Sequence, residues 1–339
     1  MEGFWFFLPP VLGIDWRLFE KLDICVNALH VKIGETNVFN ERWAYHGFLG
    51  PSVWAILFPD FCDGSNQSPV DVDTEHLAYN KNLTAFKTRF KKLDGIMLNL
   101  ENNGHTVKIK FKGDGAAPAI SGADLPGIYK TSEIHFHWGS RNSKGSEHTI
   151  DKRVYPLEMH VVNIKQEYHI DDKFFNTTQA MNDPEGLAVL GVLFEIGDYN
   201  AAFSEISENL DLIPYHGDSV TLPALSLKKM RGMFPKNIHD YYRYRGSLTS
   251  PDCNEVVIWT IFADTVTISQ EQMDTFRSLK TTKKFAKFHE DLVNNFRPTQ
   301  LLNNRIITTS IRQSLNYPPP LDIDENPKNV PDNEYQQPT

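Results

Sequence analysis

Through the middle of the chain, short stretches alternate apolar with polar residues. They cover residues 95–100, 106–111, 132–138, 157–164, 187–196 and 255–262. Successive side chains of an extended chain point to opposite faces, so this period of two predicts half-buried strands. The 187–196 run, L-A-V-L-G-V-L-F-E-I, is almost wholly apolar and reads as a strand covered on both faces. Helical signals come late and are brief. Ser269-Gln270-Glu271-Gln272 has capping-box spacing, and Met273, Phe276 and Leu279 follow three apart, which predicts a surface helix with one buried stripe. A second helix is expected over 281–294. From Trp43 to Cys62 the chain is aromatic and punctuated by proline, which predicts packed loops in place of a long helix.

This pattern is β-rich with a large centre, and no linker divides it. Residues 1–40 lack a clean period and read as a leader or irregular approach. Residues 41–310 are expected to form one principal domain. Residues 311–339 are polar, with P-P-P at 318–320 and further prolines beyond, and predict a disordered tail that cannot bury enough area to offset its ordering.

Charge narrows the partners. The chain has 339 residues and a net charge of −9, which argues against nucleic acid. No apolar run reaches the length of a membrane span. Phe4-Trp5-Phe6-Phe7-Leu8 resembles part of a signal sequence, yet it follows Glu2 and soon meets Pro9 and Pro10. Asn82 and Asn176 head glycosylation acceptor patterns; Asn66 does too, but the proline after Ser68 makes it the poorest of the three. The cysteines are Cys25, Cys62 and Cys253, whose spacing cannot establish pairing.

Candidate chemistry lies in S-E-I-H-F-H-W-G, residues 132–139. On a strand Glu133, His135 and His137 share one face, and Ile134, Phe136 and Trp138 the other. Two histidines at this spacing are weak evidence alone. In Y-P-L-E-M-H, residues 155–160, Glu158 and His160 again share a face. If the two strands are antiparallel neighbours, three imidazoles converge, with a carboxylate beside each branch. Three neutral imidazoles and one open position suit catalytic zinc. The acids have a matching use, because a ligand histidine donates from its second nitrogen to a group that fixes its angle. Glu133 could support His135, and Glu158 either His160 or its neighbour.

These residues resemble the alpha-class carbonic anhydrases. S-E-I-H-F-H-W-G resembles the family's paired-ligand strand and Y-P-L-E-M-H-V-V-N, residues 155–163, its third-ligand strand. G-S-E-H-T-I-D from Gly145, Q-S-P-V-D-V from Gln67, N-N-G-H from Asn102, G-L-A-V-L-G-V from Gly186, G-S-L-T-S-P from Gly246 and N-N-F-R-P from Asn294 extend the match over roughly residues 43–306. The resemblance implies a mainly β (α+β) single domain around a twisted, mostly antiparallel sheet of about ten strands with short peripheral helices. It implies reversible hydration of carbon dioxide to bicarbonate by zinc-hydroxide attack, with His135, His137 and His160 as ligands of Zn2+. Thr249 would orient the nucleophile and donate its own proton to Glu147. His105 would be the proton shuttle, and Tyr45 and Asn103 would order the waters leading to it.

The resemblance also implies an apolar wall for carbon dioxide at Val162, Val189, Leu248 and Trp259, support from Asn295 and Arg297, inhibition by sulfonamides, and a Cys62–Cys253 disulfide like that of extracellular members. With the acceptor patterns, the disulfide points to a secreted or extracellular protein. The match has departures. Glu133 stands in place of glutamine and should add charge to the ligand set, Ser250 and Asp252 alter a T-T-P-P run, and Lys108 occupies a cleft-wall position usually held by a smaller residue. H-I-D-D-K-F-F-N-T-T, around Asn176, reads as a surface-loop insertion. The rival reading is a weakly active or non-catalytic matrix or binding protein on the same scaffold, against which the complete ligand set argues.

Overall fold

The computed structural model describes residues 42–89, 96–113, 118–170, 175–223 and 227–312. The expected leader over 1–40, Cys25, and the expected tail from residue 313 onward lie outside the described residues. Every element named below lies in the compact unit that begins at Tyr45.

A 13-stranded sheet forms the centre among the described residues. Ten of its strands follow one path: Ser219–Pro223, Ile96–Asn102, Val107–Gly113, Tyr129–Trp138, Leu157–Lys165, Leu187–Ile196, Val257–Phe262, Tyr241–Gly246, Thr308–Thr309 and Ala78–Tyr79. Most neighbours pair antiparallel; Leu187–Ile196 with Val257–Phe262 and Thr308–Thr309 with Ala78–Tyr79 are parallel. Small helices surround the sheet, as expected of an α+β fold. All six predicted strands are present; Leu187–Ile196 has the expected bounds, and in the others no end moves by more than three residues.

The period-two pattern divides the molecule into two cores. One contains Ile134, Phe136, Trp138, Met159, Val161, Leu190 and Val192. The other contains Val162, Val189, Leu193, Trp259 and Tyr244. Alternate residues of the same strands supply both, so the sheet is covered on each face, and Leu187–Ile196 is buried through Phe194. The predicted capped helix is Gln270–Arg277, with a reciprocal Ser269–Gln272 box and with Met273, Phe276 and Leu279 buried. The aromatic stretch before Cys62 breaks into single turns, Gly47–Leu49, Pro51–Val53, Trp54–Leu57 and Pro59–Cys62, two of which begin at proline.

One expectation is corrected: residues 281–294 form no helix. Their Phe285 and Phe288 stand in solvent, so no stripe packs against the core and nothing repays helix nucleation.

Cys62 and Cys253 are bonded, with Cα atoms 5.0 Å apart and a sequence separation of 191. The bond fastens the Pro59–Cys62 turn to the loop after Thr249. Closing so long a loop restricts the unfolded chain, and replacing either cysteine by serine should lower unfolding free energy by about 3–5 kcal/mol in non-reducing denaturation. The zinc content of the folded variant should stay unchanged.

Candidate metal centre

Antiparallel register makes the centre. His135 lies opposite His160, and His137 opposite Glu158. Opposed residues share a face, so a slip of one position between the strands would turn His160 away from His135 and His137. A bulge between Thr131 and Glu133 resets the pairing just before the ligand pair. On the far side of His160 the opposed residue is Gly191. A Cβ there would lie 2.6 Å from Ile261 Cδ1 and 3.3 Å from Glu158 Oε1, so only glycine leaves room for the carboxylate beneath the ligand.

Nitrogens of His135, His137 and His160 converge within 4.8 Å of one another. His160 Nδ1 is 3.3 Å from His135 Nε2, and the buried His137 Nε2 has no hydrogen-bond partner. Two of the opposite ring atoms are held. His137 Nδ1 lies 2.7 Å from the Asn295 carbonyl oxygen and His160 Nε2 2.6 Å from Glu158 Oε1, which orients both rings with the other nitrogen turned inward. His135 Nδ1 stands 3.3 Å from Glu133 Oε1 without a hydrogen bond.

Burial lowers the pKa of His137 well below its ordinary value, and that of His160 to about 4. Both rings are therefore neutral at physiological pH and keep a lone pair for a metal. Three convergent imidazoles, one with its inward nitrogen unpartnered and buried, form a donor set that fits Zn2+. A second cluster, His148, Glu158 and His160, has its polar atoms satisfied within the protein instead. His148 Nδ1 meets Glu158 Oε1 at 2.7 Å, and its Nε2 meets the Tyr244 hydroxyl at 2.6 Å.

Around this core the other expected residues take definite places. Glu147 Oε1 accepts from the Arg297 backbone N–H at 2.8 Å, and its Oε2 is 3.4 Å from His137 Nε2. The buried Thr249 hydroxyl is in hydrogen-bonding contact with the same carboxyl. Burial, together with the charge of Glu158, pushes the Glu147 pKa up, while Thr249 and Arg297 pull it down. The Tyr45 ring stands 6.4 Å from both His105 and His137. Asn103 Oδ1 accepts from the backbone of His105 and Thr106, so it shapes the turn that carries His105. Asn295 donates to the His105 and Phe136 carbonyls and accepts from Trp138 N–H. Val162, Val189 and Trp259 are successive neighbours across three strands, and Leu248 packs on the same cluster.

Some participants carried no role in the sequence reading. His148 follows Glu147 directly and links Glu158 to Tyr244; its surroundings in sequence, S-K-G-S-E-H-T, are polar and carry no local signal of its burial. Tyr244 donates onward to Ser68 Oγ at 2.9 Å. Lys108 lies opposite His135, and its ammonium is 3.0 Å from Glu133 Oε2. Burial would raise the Glu133 pKa, but His135 and Lys108 outweigh it and hold the carboxyl near 2. The extra charge expected at Glu133 is thus balanced by a neighbour on the next strand.

The family of eukaryotic-type carbonic anhydrases matches over residues 49–311. The chain belongs to that family. It is 34% identical to human carbonic anhydrase 12 over 279 residues, 81% of this chain and 75% of that protein. Bovine carbonic anhydrase 6 is 36% identical over 79% of this chain and 80% of its own length, and human carbonic anhydrase 7 is 34% identical over 80% and 98%. The family and the three-histidine site together make this chain a zinc enzyme for the hydration of carbon dioxide to bicarbonate. No helix among the described residues is long and apolar enough to cross a membrane.

The supports can be separated from the ligands. His137→Ala should abolish stoichiometric zinc binding, measured by metal analysis after dialysis. Glu158→Gln should retain zinc but weaken it by about 10–100-fold in chelator competition, because the amide cannot accept from every donor around it. Unchanged zinc affinity in Glu158→Gln would remove Glu158 from the support of His160.

Proposed function

We propose that the cleft hydrates carbon dioxide with His105 as its proton relay, with Thr249 and Glu147 orienting the nucleophile. Val162, Val189, Leu248 and Trp259 form the seat of the substrate. The observation that carries this reading is the placement of His105: Asn295 donates to its carbonyl at 2.9 Å, and the Tyr45 ring stands 6.4 Å from both its ring and that of His137. The relay and the ligand strand are therefore built on one support.

Zinc bound by the three rings lowers the pKa of a coordinated water and so supplies a nucleophile near neutral pH, an effect for which carbonic anhydrase is the reference case. The protein's residues do the rest. Thr249 commits its proton to Glu147 and is left as an acceptor, which turns a lone pair of the nucleophile toward the substrate carbon. For that Glu147 must be ionised; burial and Glu158 oppose this, and a nearby dication favours it. Carbon dioxide has no net charge, so an apolar wall holds it without competing for protons. His105, half-buried in its turn, takes the proton that must leave and passes it to buffer.

The oxidised Cys62–Cys253 pair favours an extracellular setting, and the exposed Asn82 is the better glycan acceptor. Asn176 is engaged as a helix cap, its Oδ1 accepting from Gln179 N–H. Aromatic sulfonamides are expected to inhibit by occupying the open metal position.

Stopped-flow hydration on zinc-quantified protein tests the activity. Full zinc with no sulfonamide-sensitive rate would leave the non-catalytic reading. His105→Ala should lower the steady-state rate by roughly ten- to a hundred-fold at low buffer, spare isotope exchange between carbon dioxide and bicarbonate at equilibrium, and recover with imidazole. Equal loss in both assays without rescue would make His105 structural. Thr249→Ala should reduce kcat/KM by about 100-fold with zinc retained; an unchanged kcat/KM would exclude its orienting role.

A further inference from the structure

The 281–294 segment leaves the body of the protein as an open loop with a firm base. Lys280 is ion-paired with Asp291, Thr281 N–H donates to the Glu290 carbonyl at 2.9 Å, and Leu292 N–H to that of Leu279 at 2.7 Å. His289 packs on Tyr215 with ring centroids 4.9 Å apart, and His216 N–H donates to the Thr282 carbonyl. Beyond this closure the chain reads K-K-F-A-K-F, residues 283–288. Phe285 is 95% exposed, the most of any large apolar side chain among the described residues, and Phe288 is 77% exposed. Lys283, Lys284 and Lys287 are exposed too, and none takes part in an ion pair among the described residues; the Lys287 ammonium sits 5.5 Å from the Phe288 ring centroid.

Two aromatic tips held in water by a fastened base, inside a basic cluster, contrast with a chain whose net charge is −9. We propose that this loop docks the enzyme on an anionic lipid surface. The phenylalanines would enter the boundary between headgroups and acyl chains, and the three lysines would meet the negative headgroups. Charge complementarity selects this occupant, since an acidic body is repelled by such a surface everywhere except at a local basic tip. Both rings stand in solvent, which suits a deformable medium better than an acidic protein that must carry a preformed pocket for each ring. Asn102 Nδ2 donates to the Lys280 carbonyl at 3.1 Å, so the turn leading to His105 is tied to the loop base. Docking therefore holds that turn beside the lipid. The inference does not depend on the catalytic roles assigned above.

Co-sedimentation of the full chain with phosphatidylserine-containing vesicles, against pure phosphatidylcholine vesicles, tests it. The wild-type chain should partition onto the anionic vesicles alone, and salt should weaken it. Replacing Lys283, Lys284 and Lys287 by glutamine should reduce partition by about five-fold for each lysine. Phe285→Ser with Phe288→Ser, both in solvent, should abolish the remainder with hydration activity unchanged. Equal binding to both vesicle types, or full binding by both variants, would overturn the proposal. So would lysine-dependent capture by polyglutamate without vesicle binding, which would assign the loop to an acidic protein.

Discussion

A carboxylate with no access to water needs donors on every side, and Glu158 has four. Its Oε2 accepts from the backbone N–H groups of Glu147 and His148, both at 2.8 Å, and its Oε1 lies within hydrogen-bond reach of the His148 and His160 rings. Burial by itself would raise the pKa of such a group; His148 and His160 instead hold it well below the carboxylate range. Leaving so deeply buried a charge short of partners would be strongly destabilising. The turn at 147–148, the strand bearing His160 and, through His148, Tyr244 must therefore assemble around one side chain. The angle of His160 follows from that requirement.

The same strand pair shows how a departure is accommodated. Glu133 brings a charge beside His135, and Lys108, one strand over, meets it. The two positions are 25 residues apart in sequence but neighbours across the sheet. A second strap runs along 295–297. Asn295 holds His137 through its carbonyl and the His105 turn through its side chain, while Arg297 binds Gln67 Oε1 and the Ser68 carbonyl, both at 2.8 Å, and its N–H reaches Glu147. With the Cys62–Cys253 disulfide, residues 62–68 are joined both to the 295–297 segment and to the loop that bears Thr249.

Both supports explain why the site tolerates altered rims. Ser250, Asp252 and Lys108 change what surrounds the opening, yet the three ligands come from two opposed central strands, and the one bearing His160 is buried through Ile164. Rigidity there arises from strand register together with the anchors that the 147–148 turn and Asn295 supply.

What the residues by themselves determined was local and periodic: which side chains share a strand face, where the Ser269 cap starts its helix, and that His135 and His160 each carry an acid two positions away. Motif resemblance added the topology and the expected roles, which alternation cannot supply because every half-buried strand has the same period. The 281–294 helix failed because apolar spacing does not tell whether a surface exists to cover it. Only the tertiary structure decided that His135 faces His160, that Gly191 leaves room for Glu158, that His148 carries its bonding on to Tyr244, and that Lys108 answers Glu133. Each of these is a contact between residues distant in sequence, set by strand order and register, and a one-dimensional pattern contains neither.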